Sequence, residues 1–79
     1  MSTLTNEIKL EKITFSEDTM NVFLSSGTKI SVPLRAFPRL LNASAKQREN
    51  YRSSGSGTGI HWPEIDEDLS IDWLIEDYG

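Results

Sequence analysis

The chain has 79 residues, a formal charge of -4 and no cysteine. This length predicts a single domain over residues 1–79, with flexible residues at 1–6 and a thin core that leaves little room for a deep substrate cavity. The absence of cysteine excludes disulfides, thiolate zinc sites and a cysteine nucleophile. No apolar run approaches the roughly 20 residues of a membrane span, and the polar N-terminus is unlike a signal peptide, so we expect a cytoplasmic protein.

The first half of the chain alternates apolar and polar residues in the manner of antiparallel strands. A phase slip between Leu10 and Ile13 predicts a bulge in the first strand. Residues 20–32 predict a hairpin that turns at 25–28, where Gly27 can adopt positive φ. Together with the helices below, this pattern predicts an α+β fold: a small antiparallel sheet of three to four strands with two or three short helices.

Proline and capping residues mark the next elements. Pro33 ends the third strand because proline cannot donate to a ladder, and Pro38 is expected to open a short helix as its first residue. Ser44 and Gln47 have the spacing of a capping box, which predicts a second helix over about 45–53.

The last third of the chain begins with a loop rich in glycine and serine. Residues 53–59 predict a flexible loop, and residues 60–62 predict a short strand that a proline stops. Ser70 can cap a final helix from Ile71 to about Asp77. Both tryptophans are expected in the core of so short a chain.

Charge is distributed unevenly along the sequence. Residues 29–52 carry six bases and one acid, whereas residues 62–79 carry seven acids and no base. The seven acids are Glu64, Asp66, Glu67, Asp68, Asp72, Glu76 and Asp77. Two interpretations remain open: the basic and acidic segments partly neutralise each other, or the acidic segment binds a basic partner.

Other chemical interpretations have little support in the sequence. Asp66, Glu67 and Asp68 with His61 could hold a metal, but they lack the spacing of a calcium loop and there is no second histidine. We instead expect His61 to be a structural residue, hydrogen-bonded at a sheet edge. The sequence therefore predicts no catalytic residue, no cofactor site and no metal site.

Direct binding of nucleic acid is a further alternative. The bases that could line one face are Arg35, Arg39, Lys46, Arg48 and Arg52. The overall acidity and the absence of interleaved aromatic residues oppose that interpretation. We expect these bases to pair with the acidic segment or to keep the surface soluble.

The string GIHWPEIDEDLSI, from Gly59 to Ile71, resembles the signature of a small bacterial family, domain of unknown function 2442. The pattern before it, including the Phe37–Leu40 segment, also resembles that family, and the resemblance spans about 8–75. It implies a small α+β fold and no established enzyme activity. Members of the family are similar to proteins whose genes neighbour those of small toxin-like proteins, which implies an antitoxin-like or adaptor role. The chain also looks like a phage anti-CRISPR protein that blocks DNA entry to the CRISPR effector.

These observations lead to one functional hypothesis and one alternative. We expect a non-enzymatic acidic module, a monomer or weak dimer without cofactor, that inhibits a protein partner by occupying its basic nucleic-acid-binding surface through the seven acids. The alternative is an antitoxin-like or regulatory partner of a small cognate protein. No direct contact with nucleic acid or membrane is expected.

Overall fold

The structure, a computed structural model, describes residues 8–55 and 57–79. Within these ranges the chain forms two three-stranded antiparallel sheets and three α-helices, so the predicted α+β class is confirmed. The sequence predicts one sheet of three to four strands, whereas the structure has two sheets of three strands each. The flexibility expected of residues 1–6 concerns a segment outside the described residues.

The first sheet is the predicted meander. Its strands β1 (Leu10–Ser16), β2 (Thr19–Leu24) and β3 (Lys29–Pro33) lie in chain order. The register between β1 and β2 shifts between Leu10 and Lys12, which confirms the predicted bulge. Gly27 has φ of 92° in the β2–β3 turn, where its backbone N–H donates to the carbonyl oxygen of Leu24.

One face of this sheet is buried, as the alternation predicts. Val22 of β2 is paired with Ile13 on one side and with Ile30 on the other, and all three are buried. Neighbouring positions such as Asn21 and Ser31 are less buried and hydrogen-bond to each other across the opposite face. Along β2 and β3 the period-2 pattern therefore assigns each residue to the correct face.

Two short helices follow the meander. A 3-10 helix (Leu34–Ala36) leads into α1 (Pro38–Leu41), which begins at proline as predicted, and α2 spans Ala45–Glu49. Both capping-box hydrogen bonds are present: Ser44 Oγ accepts from the backbone of Gln47, whose side chain accepts from the backbone of Ser44. The helix is shorter than the predicted 45–53.

The second sheet contains the main difference from the sequence prediction. Its strands β4 (Arg52–Ser54), β5 (Gly59–Trp62) and β6 (Glu67–Ser70) lie in chain order. The predicted loop over 53–59 thus begins as a strand, and residues 67–70 of the acidic segment also form a strand. Neither short segment alternates apolar and polar residues, so the sequence pattern does not reveal either strand. Their extended backbone is stabilised by pairing with β5.

The last helix, α3 (Ile71–Tyr78), starts directly after β6. Ser70 Oγ accepts from the backbone N–H of Trp73, which confirms the predicted cap. Ile71 and Leu74 are buried on α3 and belong to one apolar cluster with side chains from both sheets and α1. This shared core fixes α3 beside β3 and β6.

Candidate functional site

The seven predicted partner-binding acids occupy two regions of the structure. Four lie on the turn at 63–66 and on β6, and three lie on α3. The first group comprises Glu64, Asp66, Glu67 and Asp68, and the second comprises Asp72, Glu76 and Asp77. Three side chains of the first group, those of Glu64, Glu67 and Asp68, have partners within the protein, whereas Asp66 contributes only its backbone carbonyl.

The turn between β5 and β6 is held by a base from α1. Asp66 adopts φ of 53°, a left-handed conformation that aspartate tolerates better than most residues. The guanidinium of Arg39 donates to the carbonyl oxygen of Asp66 at 2.6 Å and lies 3.8 Å from the Glu67 carboxylate. Nearby, Glu64 accepts a hydrogen bond of 2.8 Å from the side chain of Asn50. These contacts attach the β5–β6 turn to α1 and to the residue that follows α2.

Asp68 is engaged by the single histidine. His61 and Asp68 face each other across the β5–β6 pair, with Nδ1 and Oδ1 separated by 2.8 Å. Because a carboxylate can only accept, the imidazole donates this hydrogen bond. The histidine therefore forms the predicted structural hydrogen bond, but it lies on the central strand of the sheet and not at an edge.

Glu67 and Asp68 point to opposite faces of the second sheet. Glu67 is paired with the buried Trp62, whereas Asp68 is paired with His61 on the other face. Alternation along a strand makes this separation unavoidable. Carboxylates that are adjacent in sequence here cannot act together on one flat partner surface.

The acids of α3 form the second group. Asp72 lies in the first turn of the helix, where a negative charge is favourable beside the positive end of the dipole. Glu76 follows it by one helical turn, so the two side chains project on the same side. Asp72, Glu76 and Asp77 are exposed, and none forms an ion pair or a side-chain hydrogen bond with another described residue.

Trp73 does not lie in the core as expected. Its side chain is 41% exposed, whereas Trp62 is fully buried and donates its indole N–H to the carbonyl oxygen of Arg48. The physical reason is the helical period: Trp73 follows the buried Ile71 by two residues, which places it about 200° around the helix. A helical projection of residues 71–78 contains the information needed to find this exposed position.

The exposed indole belongs to an aromatic cluster, defined here as Phe37, Trp73 and Tyr78. The ring centroids of Trp73 lie 5.7 Å from those of Phe37 and 6.0 Å from those of Tyr78, and both ring pairs are close to perpendicular. Phe37 and Tyr78 are 6.4 Å apart and complete the triangle. Phe37 is almost fully buried, so the cluster joins the core to the surface.

The bases of the middle segment differ in what they contact. Arg39 contacts the acidic turn, which partly confirms the expected neutralisation. Arg48 instead donates to the carbonyl oxygens of Leu40 and Leu41 at 2.9 Å each, where a cation stabilises the end of α1. Two of the candidate bases therefore have structural partners.

Two surface depressions lie apart from the acids of α3. A groove of about 620 Å³ separates β1 from α2, and a shallow pocket of about 390 Å³ lies beside the β4–β5 turn and β6. Across residues 8–55 and 57–79, no three histidine or carboxylate side chains are grouped closely enough to hold a metal ion. In the same part of the chain no helix is long and apolar enough to cross a membrane.

Comparison with known proteins identifies the family. A family model described as "Protein of unknown function (DUF2442)" matches residues 10–78. The chain belongs to this family. The match confirms the resemblance carried by the residues from Gly59 to Ile71, and the family description assigns no catalytic activity.

A solved relative supports the same conclusion. The chain is similar to the crystal structure of a protein of unknown function from Rhodospirillum rubrum ATCC 11170, with 30% identity and a TM-score of 0.74. The similarity covers 90% of this chain and 88% of that chain. A search of curated proteins gave no match. The comparisons therefore identify the fold and the family of the chain.

Proposed function

We propose that this DUF2442 protein is a non-enzymatic protein-binding module whose acidic surface occupies a basic, nucleic-acid-binding surface of a partner. Such a protein would inhibit its partner as a DNA mimic, in the manner of an anti-CRISPR or related anti-defence protein. One observation carries the proposal: Asp72, Glu76 and Asp77 are exposed together on α3 without an ion pair to any described residue.

Charge spacing supports a partner that normally binds phosphates. Side chains one helical turn apart, such as Asp72 and Glu76, have Cβ atoms about 5–6 Å apart. Phosphates along one DNA strand are separated by a few ångströms of helix rise, and proteins hold them with lysine and arginine. A basic groove of that kind attracts a helix that presents three carboxylates and no base. Association is then steered by charge and weakened by salt.

The test is competition between this protein and nucleic acid for the same partner. A partner recovered from host lysate is bound to labelled DNA, and displacement by the wild-type chain is compared with displacement by a variant carrying Asp72→Asn, Glu76→Gln and Asp77→Asn. The proposal expects the wild-type chain to displace DNA and the variant to require at least tenfold more protein. Simultaneous binding of DNA and the wild-type chain to the partner would refute the proposal.

The matched control neutralises two bases that form no ion pair among the described residues, Lys46→Gln and Arg52→Gln. This variant makes the protein more negative, so the proposal expects unchanged or stronger displacement. Arg48 is unsuitable for the control because its side chain holds the end of α1.

A second candidate is an antitoxin-like or regulatory partner of a small cognate protein. The observation that favours it is the aromatic cluster, because an exposed tryptophan at an interface often contributes much of the binding energy. Salt separates the candidates: affinity that falls steeply between low and high salt favours charge mimicry. Affinity that changes little favours an apolar cognate interface.

A further inference from the structure

We infer that the aromatic cluster of Phe37, Trp73 and Tyr78, with the carboxylates beside it on α3, is a receptor for an arginine side chain of the partner. This inference rests on the proposed function, because it names the chemistry by which the acidic surface would hold a basic partner. It concerns one face of one helix and one protruding side chain of another protein.

The indole of Trp73 is positioned to receive a cation. Trp73 is held against Phe37 and Tyr78 at 5.7 and 6.0 Å, yet 41% of it is exposed. Two near-perpendicular ring contacts fix the orientation of an exposed aromatic surface before any partner arrives. A preorganised ring loses little conformational freedom on binding, and tryptophan is the best aromatic platform for a cation.

The charge around that ring is negative. Asp72 precedes Trp73 directly, while Glu76 and Asp77 follow it by three and four residues, so carboxylates flank the indole on both sides of the exposed helix face. The helix contains no base. Arg39 lies two residues from Phe37, but it contacts the carbonyl of Asp66 and the carboxylate of Glu67.

Arginine fits this surface better than other occupants do. A guanidinium stacks on an aromatic ring and donates two parallel hydrogen bonds to a carboxylate, and it is more weakly hydrated than an ammonium group. An apolar side chain would leave the flanking carboxylates without compensation. A second copy of this chain would bring its own acids against the same acids, which opposes self-association through α3.

The experiment uses the two tryptophans as separate reporters in one protein. In a 1H–15N NMR spectrum of the wild-type chain, the indole N–H of Trp73 reports on the cluster. The indole N–H of Trp62 is buried and bonded to Arg48, so it serves as an internal reference. The Trp73→Phe variant assigns the two peaks. The probes are an octa-arginine amide and an octa-lysine amide, titrated at low salt.

The inference expects the Trp73 peak to shift with octa-arginine, to shift less with octa-lysine, and the Trp62 peak to stay in place. Trp73→Ala should weaken octa-arginine binding about two- to fivefold, the effect of losing one exposed cation–π contact. The matched control Phe23→Ala removes a partly exposed ring from the other side of the first sheet and should leave affinity unchanged.

Failure of the inference can be distinguished from failure of the proposed function. If Asp72→Asn, Glu76→Gln and Asp77→Asn abolish peptide binding while Trp73→Ala has no effect, the arginine receptor is wrong and the acidic surface stands. If neither variant changes the affinity, both ideas are wrong. Equal shifts of the Trp73 peak with arginine, lysine and an uncharged apolar octapeptide would also overturn the arginine receptor.

Discussion

The hydroxyl oxygen of Tyr51 accepts a hydrogen bond from the backbone N–H of Ile13 at 3.0 Å. Ile13 lies on β1, an edge strand of the first sheet, and Tyr51 directly precedes β4, an edge strand of the second. The same edge of β1 is bonded once more, by Leu10 N–H to the carbonyl oxygen of Gly57. These two hydrogen bonds connect the sheets where no continuous ladder joins them.

Removal of this hydroxyl should destabilise the fold modestly. Tyr51→Phe leaves the Ile13 N–H without its acceptor, and we expect unfolding free energy to fall by about 0.5–1.5 kcal/mol. Urea denaturation followed by circular dichroism measures the change. Tyr78→Phe is the matched control, since the Tyr78 hydroxyl bonds to no other described residue, and it should change stability by less than about 0.5 kcal/mol. Equal effects would refute the role assigned to Tyr51.

The two tryptophans should differ sharply in their contribution to stability. Trp62→Ala empties a fully buried site and removes an indole hydrogen bond, so we expect a loss of about 3–5 kcal/mol or an unfolded chain. Trp73→Ala removes two aromatic contacts at the surface and should cost about 1–2 kcal/mol. Denaturation midpoints of the two variants provide the comparison. If Trp73→Ala proved as unstable as Trp62→Ala, the assignment of Trp73 to the surface would be wrong.

The β2–β3 turn should be sensitive to backbone strain alone. Gly27 has φ of 92° and open space around its α-carbon, so an added methyl group meets no neighbour. Gly27→Ala should nevertheless cost about 1–2 kcal/mol, because a Cβ atom is strained in the left-handed region. Gly27→Asn should cost less, since asparagine tolerates that region better. Thermal melts of the three proteins test the order glycine, asparagine, alanine.

Carboxylates of α3 should matter more for partner binding than those of β6. Asp72→Asn with Glu76→Gln removes two exposed charges that project on one side, and it should weaken binding at least tenfold at low salt. Glu67→Gln with Asp68→Asn removes charges that point to opposite faces and already contact Arg39 and His61, so its effect should be smaller. Asp72→Asn also costs about 0.3–1 kcal/mol of stability through the helix dipole.

Titration of each double variant against the recovered partner at two salt concentrations measures this difference. A larger loss from the β6 pair would place the interface on the turn and β6. Equal losses would mean that the two pairs contribute equally to binding, and that the pairing of Glu67 and Asp68 within the protein does not lower their contribution.

Local chemistry was enough to predict the first half of the fold. Alternation assigned the meander and its buried face, and the phase slip located the bulge beside Leu10. Pro38 and the pair Ser44 and Gln47 placed two helix starts correctly, because these residues act on backbone groups within one turn of themselves. The family signature at 59–71 was likewise readable without coordinates.

Tertiary pairing decided what short-range patterns could not. Residues 52–54 and 67–70 form strands by pairing with β5, which lies between them. Segments of three or four residues are too short for their alternation to predict that pairing. The separation of Glu67 from Asp68 follows from this pairing, as does the contact of Arg39 with the acidic turn.

Composition and local pattern were sufficient to predict the class of fold, the family and the run of acids over residues 62–79. Packing of the elements determines which of those acids lack partners among the described residues, and it leaves Trp73 exposed among them. Charge content can be read from composition because it is a property of composition alone. The exposure and pairing of a charge depend on which elements pack against it, and the helical period turns Trp73 away from the core on which Ile71 packs.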